Sequence, residues 1–195
     1  LLGACNAPID TSSSKFKDTP ETRKMLTDFA KQQHRFEFSG CDLKYNSKPF
    51  NLDISIKEFQ NLFGSTSKQW PTNTKSKNNA YYWFNDIVRI LERKQEKKIR
   101  AIDIDFSEVG LHEPPFYILI NGAPLNYIMT MGEFMRLSSH SFDNFHISDT
   151  SYELKFPECE HPIRYYFSSK VIFSYIGNGH MRLKDKPEVL TLIHN

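Results

Sequence analysis

Two short stretches 75 residues apart, "ISIKEF" at 54–59 and "MTMGEF" at 129–134, restrict what this chain can fold into. Both read apolar, hydroxyl, apolar, any residue, Glu, Phe. Ser55 and Thr130 stand where a side-chain oxygen accepts the third amide of a helix, and Glu58 and Glu133 stand where a carboxylate reaches back to the cap amide. Ile54 with Phe59, and Met129 with Phe134, supply the apolar pair that brackets such a box. At the same offset Asn46, Pro49, Asn51 and Leu62 fall on Asn121, Pro124, Asn126 and Leu137, so six of the 19 aligned positions from 46 to 64 are identical. A helix-start signal that recurs together with its upstream turn residues predicts one structural unit used twice.

Each unit continues in the same way. A helix of about two turns, 56–63 or 131–137, leads into a long polar stretch and then strands. These are "AYYWF", "IVRILER" and "KIRAIDIDF" in the first unit, and "RYYFSS", "KVIFSYI" and "PEVLTLI" in the second. Alternation in "AIDIDF" puts Ile102, Ile104 and Phe106 on one face and Asp103 and Asp105 on the other. The aromatic fraction of 14% suits sheets, where flat side chains fill a pleated, half-buried surface. The predicted class is α+β: two tandem repeats, each a short capped helix packed on an antiparallel sheet. The organisation expected is residues 1–5 as a lipobox remnant, 6–33 as a polar tether with a short helix, 34–110 as unit one and 111–195 as unit two. The two units pack as one domain, with the break near Gly110 and Pro114-Pro115. "TPETRKMLTDFAKQQH" supplies the helix of the tether, with Thr19 as cap and Pro20 in the first turn.

The address is read from the start of the sequence. Leu2-Gly3-Ala4-Cys5 fits the lipobox of bacterial lipoproteins, in which small residues flank the scissile bond and the Cys5 sulfur takes the diacylglycerol. Leu1 is then a remnant of the signal peptide. "NAPIDTSSSKFKDTP" follows as a polar tether without helical or strand period. Nothing approaches 18 consecutive apolar residues, so a lipid anchor is the only membrane attachment expected. In an oxidising envelope, with Cys5 acylated, Cys41 and Cys159 form an even pair and a candidate disulfide; two thiols that never meet are the alternative. A net charge of +2 gives no whole-molecule field for nucleic acid.

Basic residues are local. "RKQEKK" at 93–98 reads as a solvated hairpin turn, whereas Lys68, Lys75 and Lys77 surround Trp70 in "GSTSKQWPTNTKSKNN". A large aromatic rimmed by cations is the composition of an interface anchor; the alternative is that Trp70-Pro71 folds back to cap the core. The matching stretch of the second unit, "SSHSFDNFHISDTSYELKF", offers Phe142, Phe145 and Tyr152 with acidic neighbours.

Chemistry is harder to find. The histidines and cysteines match no zinc spacing. Cys159 and His161, two apart, would face opposite sides of a strand. "GNGH" at 177–180 reads as a hairpin turn rather than a phosphate cradle. No catalytic residue, metal or cofactor is expected.

"GCDLKYNSKPFNLDISIKEFQNLFG", "YYWFNDIVRI" and "FYILINGAPLN" resemble a proteobacterial family of uncharacterised function, across roughly residues 36–193. Its members carry a "YNGK" strand turn, a short capped helix ending in Gly, an aromatic strand and a second unit that opens with "NG". Here Ser47 replaces the usual Gly of the turn, and an insertion surrounds Trp70. The duplicated architecture is also similar to that of the β-lactamase inhibitor protein and of small outer-membrane assembly lipoproteins, a likeness of architecture alone. The expectation is therefore a periplasm-facing lipoprotein that binds another protein, an immunity or inhibitor protein against a toxin or hydrolase. A structural or assembly role in the envelope is the alternative.

Overall fold

The computed structural model of the chain describes residues 17–70, 77–105, 117–126, 128–138, 145–148, 151–155, 163–168 and 189–194. Thr19 opens its first element. The Thr19 hydroxyl accepts the Thr22 amide at 3.1 Å, the Thr22 hydroxyl accepts the Thr19 amide at 2.9 Å, and Pro20 sits where its missing N–H is harmless. Helix α1 then runs Pro20–Lys31 and buries Thr22, Leu26 and Phe29. The stretch expected as tether and short helix is thus part of the fold from residue 17 onward.

Strands β1 (Phe36–Ser39), β2 (Asp42–Tyr45) and β3 (Lys48–Phe50) follow, then helix α2 (Ile56–Phe63), then β4 (Lys68–Trp70), β5 (Asn78–Trp83), β6 (Val88–Arg93) and β7 (Ile99–Asp105). The second half contributes β8 (Ile118–Ile120), β9 (Ala123–Leu125), helix α3 (Met131–Leu137), β10 (Phe145–Ser148), β11 (Ser151–Lys155), β12 (Ile163–Ser168) and β13 (Val189–His194). The fold is α+β. Its strands form a five-stranded sheet in the order β3-β2-β1-β8-β9 and an eight-stranded sheet in the order β10-β11-β12-β13-β7-β6-β5-β4.

Both short helices start as expected. The amides of Ser55 and Thr130 each donate to their glutamate at 2.7 Å, and those of Glu58 and Glu133 return to the cap hydroxyls at 3.3 and 3.2 Å. Phe59 and Phe134 are buried at 0% and 1% exposure, so the Phe that closes each motif is a core residue. Replacing Ser55 or Thr130 by Ala is expected to destabilise the fold by about 0.5–2 kcal/mol, read from urea denaturation midpoints.

The turns upstream of the helices also match in conformation. Asn46-Ser47 have φ of 48° and 65°, and Asn121-Gly122 have 49° and 82°; a two-residue hairpin turn of this hand requires positive φ at both positions. The two asparagines clamp β1 from its ends. Asn46 Oδ1 accepts the Arg35 amide at 3.0 Å, and Asn121 Oδ1 accepts the Gly40 amide at 2.9 Å. Ser47 holds a left-handed conformation that Gly would adopt without strain. Ser47→Gly relieves roughly 1–2 kcal/mol of strain and adds unfolded-state freedom worth roughly 0.4–1 kcal/mol. A net gain of roughly 0–1.6 kcal/mol is therefore expected, checked by thermal unfolding.

Alternation along β8 decides the layering. Ile118 and Ile120 join the main core with Phe36, Phe38, Ile102 and Ile104. Tyr117 and Leu119 pack instead with Leu26 and Phe29 under α1. Helix α1 therefore covers one face of the small sheet, while the other face shares a core with α2, α3 and the large sheet.

Three expectations are corrected. The sheets are not divided one per unit: β7 pairs antiparallel with β13, and β1 pairs parallel with β8, so both sheets draw strands from both halves. The physical reason is the edge. A separate sheet in each half would expose a long apolar strand, whereas pairing β7 with β13 leaves only the short β4 and β10 at the margins. Second, the polar stretches after α2 and α3 are not loops throughout, since they contain β4, β10 and β11. Third, the face of β7 opposite Ile102 and Ile104 is not simply solvated, because Ala101 and Asp103 are buried at 3% each. The 93–98 segment is the hairpin turn expected of it, with the Lys97 amide donating to the Arg93 carbonyl at 2.9 Å.

Candidate functional site on the outer face of the large sheet

Along β6, Val88 and Ile90 enter the core and Arg89 and Leu91 point the other way, which defines a core face and an outer face. Register aligns Lys68, Tyr82, Arg89 and Asp103 in one outer row across β4 to β7. The row is tied together. Arg89 Nε donates to Asp103 Oδ2 at 2.7 Å, and Nη2 lies 2.5 Å from the same oxygen in the ion pair. The Tyr82 hydroxyl bonds the same guanidinium. The Lys68 ammonium lies 4.7 Å from the Tyr82 ring centroid and pairs with Asp86. Burial works against the charge on Arg89, but the Asp103 carboxylate and the Tyr82 bond outweigh it and hold the guanidinium above its ordinary value.

Exposure is uneven along this row. The Arg89 and Lys68 side chains are 43% and 41% exposed, while their carboxylates, Asp103 and Asp86, are 5% and 31% exposed. The Arg89 side chain is therefore far more open to solvent than the carboxylate it pairs with. Ala80 and Ala101 lie in the adjacent row and are buried.

Asp86 comes from a tight turn in which Phe84, Asn85 and Asp86 all have positive φ, at 54°, 53° and 69°. The Phe84 ring is stacked by His34, with centroids 3.9 Å apart, and His34 Nδ1 lies 2.8 Å from the Tyr45 hydroxyl. Burial holds the His34 imidazole below its ordinary 6.5. The unfolded chain then takes up this proton first. The His34 contribution is present above about 6.5 and is lost as pH falls through the folded value. A proton NMR titration of His34 is expected to show a midpoint below 6.5, and His34→Gln should remove that part of the acid destabilisation.

Of the residues singled out in the sequence, Lys68 lies in the tied row and Trp70 closes β4 opposite Ala80, in the neighbouring outer row. Lys77 is exposed just before β5, and its carbonyl accepts the Lys94 amide at 2.9 Å. Phe145 falls in the register row of Leu192 and Ile102, and Tyr152 in that of Ile104 and Val88, so register does not bring either into the Lys68 row. Cys5, Lys75, Phe142 and Cys159 lie outside the described residues. Cys41, exposed in the β1–β2 turn, is in a disulfide whose partner is likewise outside them. Sequence reasoning missed Tyr82, Arg89 and Asp86. The signal for Arg89 was its alternation with Val88 and Ile90; the tie to Asp103 needed the register.

Among the described residues no three His, Cys, Asp or Glu side chains are grouped to hold a metal, and no helix is long and apolar enough to cross a membrane. No family model and no curated protein matches the chain. Among solved structures it is similar to a cysteine-rich secretory protein from Staphylococcus aureus subsp. aureus Mu50, at 10% identity and a TM-score of 0.34. That similarity covers 73% of this chain and 44% of the other, so the chain spans less than half the length of that structure.

Proposed function

We propose that the chain is a duplicated, lipid-anchored, periplasm-facing protein that binds another protein and neutralises it, as an immunity or inhibitor protein does for a toxin or hydrolase. The observation that carries the binding role is the tied outer row Lys68-Tyr82-Arg89-Asp103. Tyr and Arg are the side chains that dominate protein interfaces, and chains held in place before association lose little freedom on binding. Duplication is supported at one offset of 75 residues by the Asn46 and Asn121 turns, by the Ser55 and Thr130 caps, by β3 on β9 and by β6 on β12.

The anchor rests on the lipobox at Cys5, and export is supported by the disulfide at Cys41, a bond that persists in oxidising compartments. With three cysteines in the chain, an intramolecular bond at Cys41 takes either Cys5 or Cys159. A thioether to lipid and a disulfide cannot share the Cys5 sulfur, so the anchored reading requires Cys41–Cys159. Mass mapping of non-reduced peptides, with fatty-acid labelling of wild type and Cys5→Ala, tests it. A Cys41–Cys5 peptide, or label persisting in the Ala variant, rules the anchor out. Affinity capture from the native envelope identifies the partner: a toxin or hydrolase inhibited by this chain supports the immunity role, and capture of envelope-assembly components alone replaces it with an assembly role.

A further inference from the structure

We propose that the outer row across β4 to β7 is the recognition surface itself and that it takes an acidic segment of the partner protein, a loop or terminus bearing Asp or Glu. This inference rests on the protein-binding reading and adds to it the place and the chemistry. Three observations carry it. The more exposed side chains of the row are the cations: Arg89 and Lys68 are 43% and 41% exposed, against 5% for Asp103 and 31% for Asp86. Both contacts from Arg89 to Asp103 leave the Nε–Nη2 edge of the guanidinium and end on a single oxygen, which turns Nη1 away from Asp103. A guanidinium carries five N–H donors in a rigid fork, and Asp103 and Tyr82 use only part of them, so donors remain for a second carboxylate.

The third observation is preorganisation. Tyr82 and Asp103 grip Arg89 from neighbouring strands, and Lys68 is held over the Tyr82 ring beside Asp86. A carboxylate arriving here meets aligned donors and a buried counter-acid screened by the guanidinium that covers it. A basic segment would meet two cations first.

The test is an NMR titration of the isotopically labelled chain with a hexaglutamate peptide. Hexalysine, a dodecathymidine oligonucleotide and phosphatidylglycerol vesicles serve as comparisons. Hexaglutamate is expected to shift the signals of Lys68, Tyr82 and the Arg89 Nε–H, with hexalysine silent. Binding should weaken at least fivefold in Arg89→Lys, which keeps the charge opposite Asp103 but loses the fork, and in Lys68→Gln. Lys68→Gln decides the matter if Arg89→Lys fails to fold. Shifts centred elsewhere, equal binding by hexalysine, or unchanged affinity in the variants overturn the proposal. Tighter binding of the oligonucleotide or the vesicles at the same residues also overturns it, in favour of a polyanion or membrane surface. A partner captured equally by wild type and by both variants defeats this surface while leaving the protein-binding reading intact; a chain that captures no protein defeats that reading first.

Discussion

Trp83→Ala is expected to destabilise the protein by about 3–5 kcal/mol, the range for removing a large buried aromatic side chain. The indole is 1% exposed, meets the Phe63 ring edge-on at 5.8 Å, and donates its Nε1–H to the Gly64 carbonyl at 2.9 Å. Gly64 is the C-cap of α2, with φ of 88°, so one side chain both fills the core and satisfies a carbonyl at the helix end. Trp83→Ala therefore leaves a cavity and removes the donor to Gly64 together. Trp83→Phe fills most of that cavity but cannot donate, and because Gly64 is exposed and water can reach its carbonyl, it should lose only the roughly 0.5–1.5 kcal/mol net worth of one hydrogen bond. Urea denaturation of both variants separates packing from hydrogen bonding. A Trp83→Phe loss as large as that of Trp83→Ala would mean that the bond to Gly64, not the packing, dominates.

Arg89→Ala is expected to be the second severe change, at roughly 3 kcal/mol, the lower end for breaking a buried ion pair. The lower end applies because the Arg89 side chain is 43% exposed, so water partly replaces it, while Asp103 stays 5% exposed and unneutralised. The double variant Arg89→Met with Asp103→Leu removes both charges and should recover most of the loss, since an apolar pair in place of a buried ion pair is often neutral or better. The double-mutant cycle gives the coupling directly. If Arg89→Ala costs no more than an exposed surface pair, about 0–1 kcal/mol, then Asp103 is solvated in solution and the row is not tied as described.

These two sites show what was legible in the sequence. The caps at Ser55 and Thr130, the helix at α1 and the turns at Asn46 and Asn121 follow from contacts within a few residues. Their chemistry is complete locally, so their positions could be read directly. The strands β5, β6, β7, β12 and β13 were legible for a related reason, because period-two alternation needs no partner. Ser47 adopts a positive φ that Gly reaches without a steric penalty, a requirement set by the two-residue turn itself.

Pairing was not legible. Nothing in "KIRAIDIDF" says that Ile102 will face Leu192 or that Asp103 will lie beside Arg89, because those neighbours are chosen by which strand edges must be covered. The short strand at Lys68–Trp70 was hidden for the same reason: three residues carry no period, and only the β5 edge made them a strand. The sequence by itself determined the local starts and stops, the α+β class and the apolar face of each long strand. The tertiary structure decided that β7 meets β13, that β1 lies between two clamping asparagines, and that Lys68, Tyr82, Arg89 and Asp103 form one row. Those are register relations between residues far apart in the chain, and they are set by edge coverage and core packing rather than by any residue's own preference.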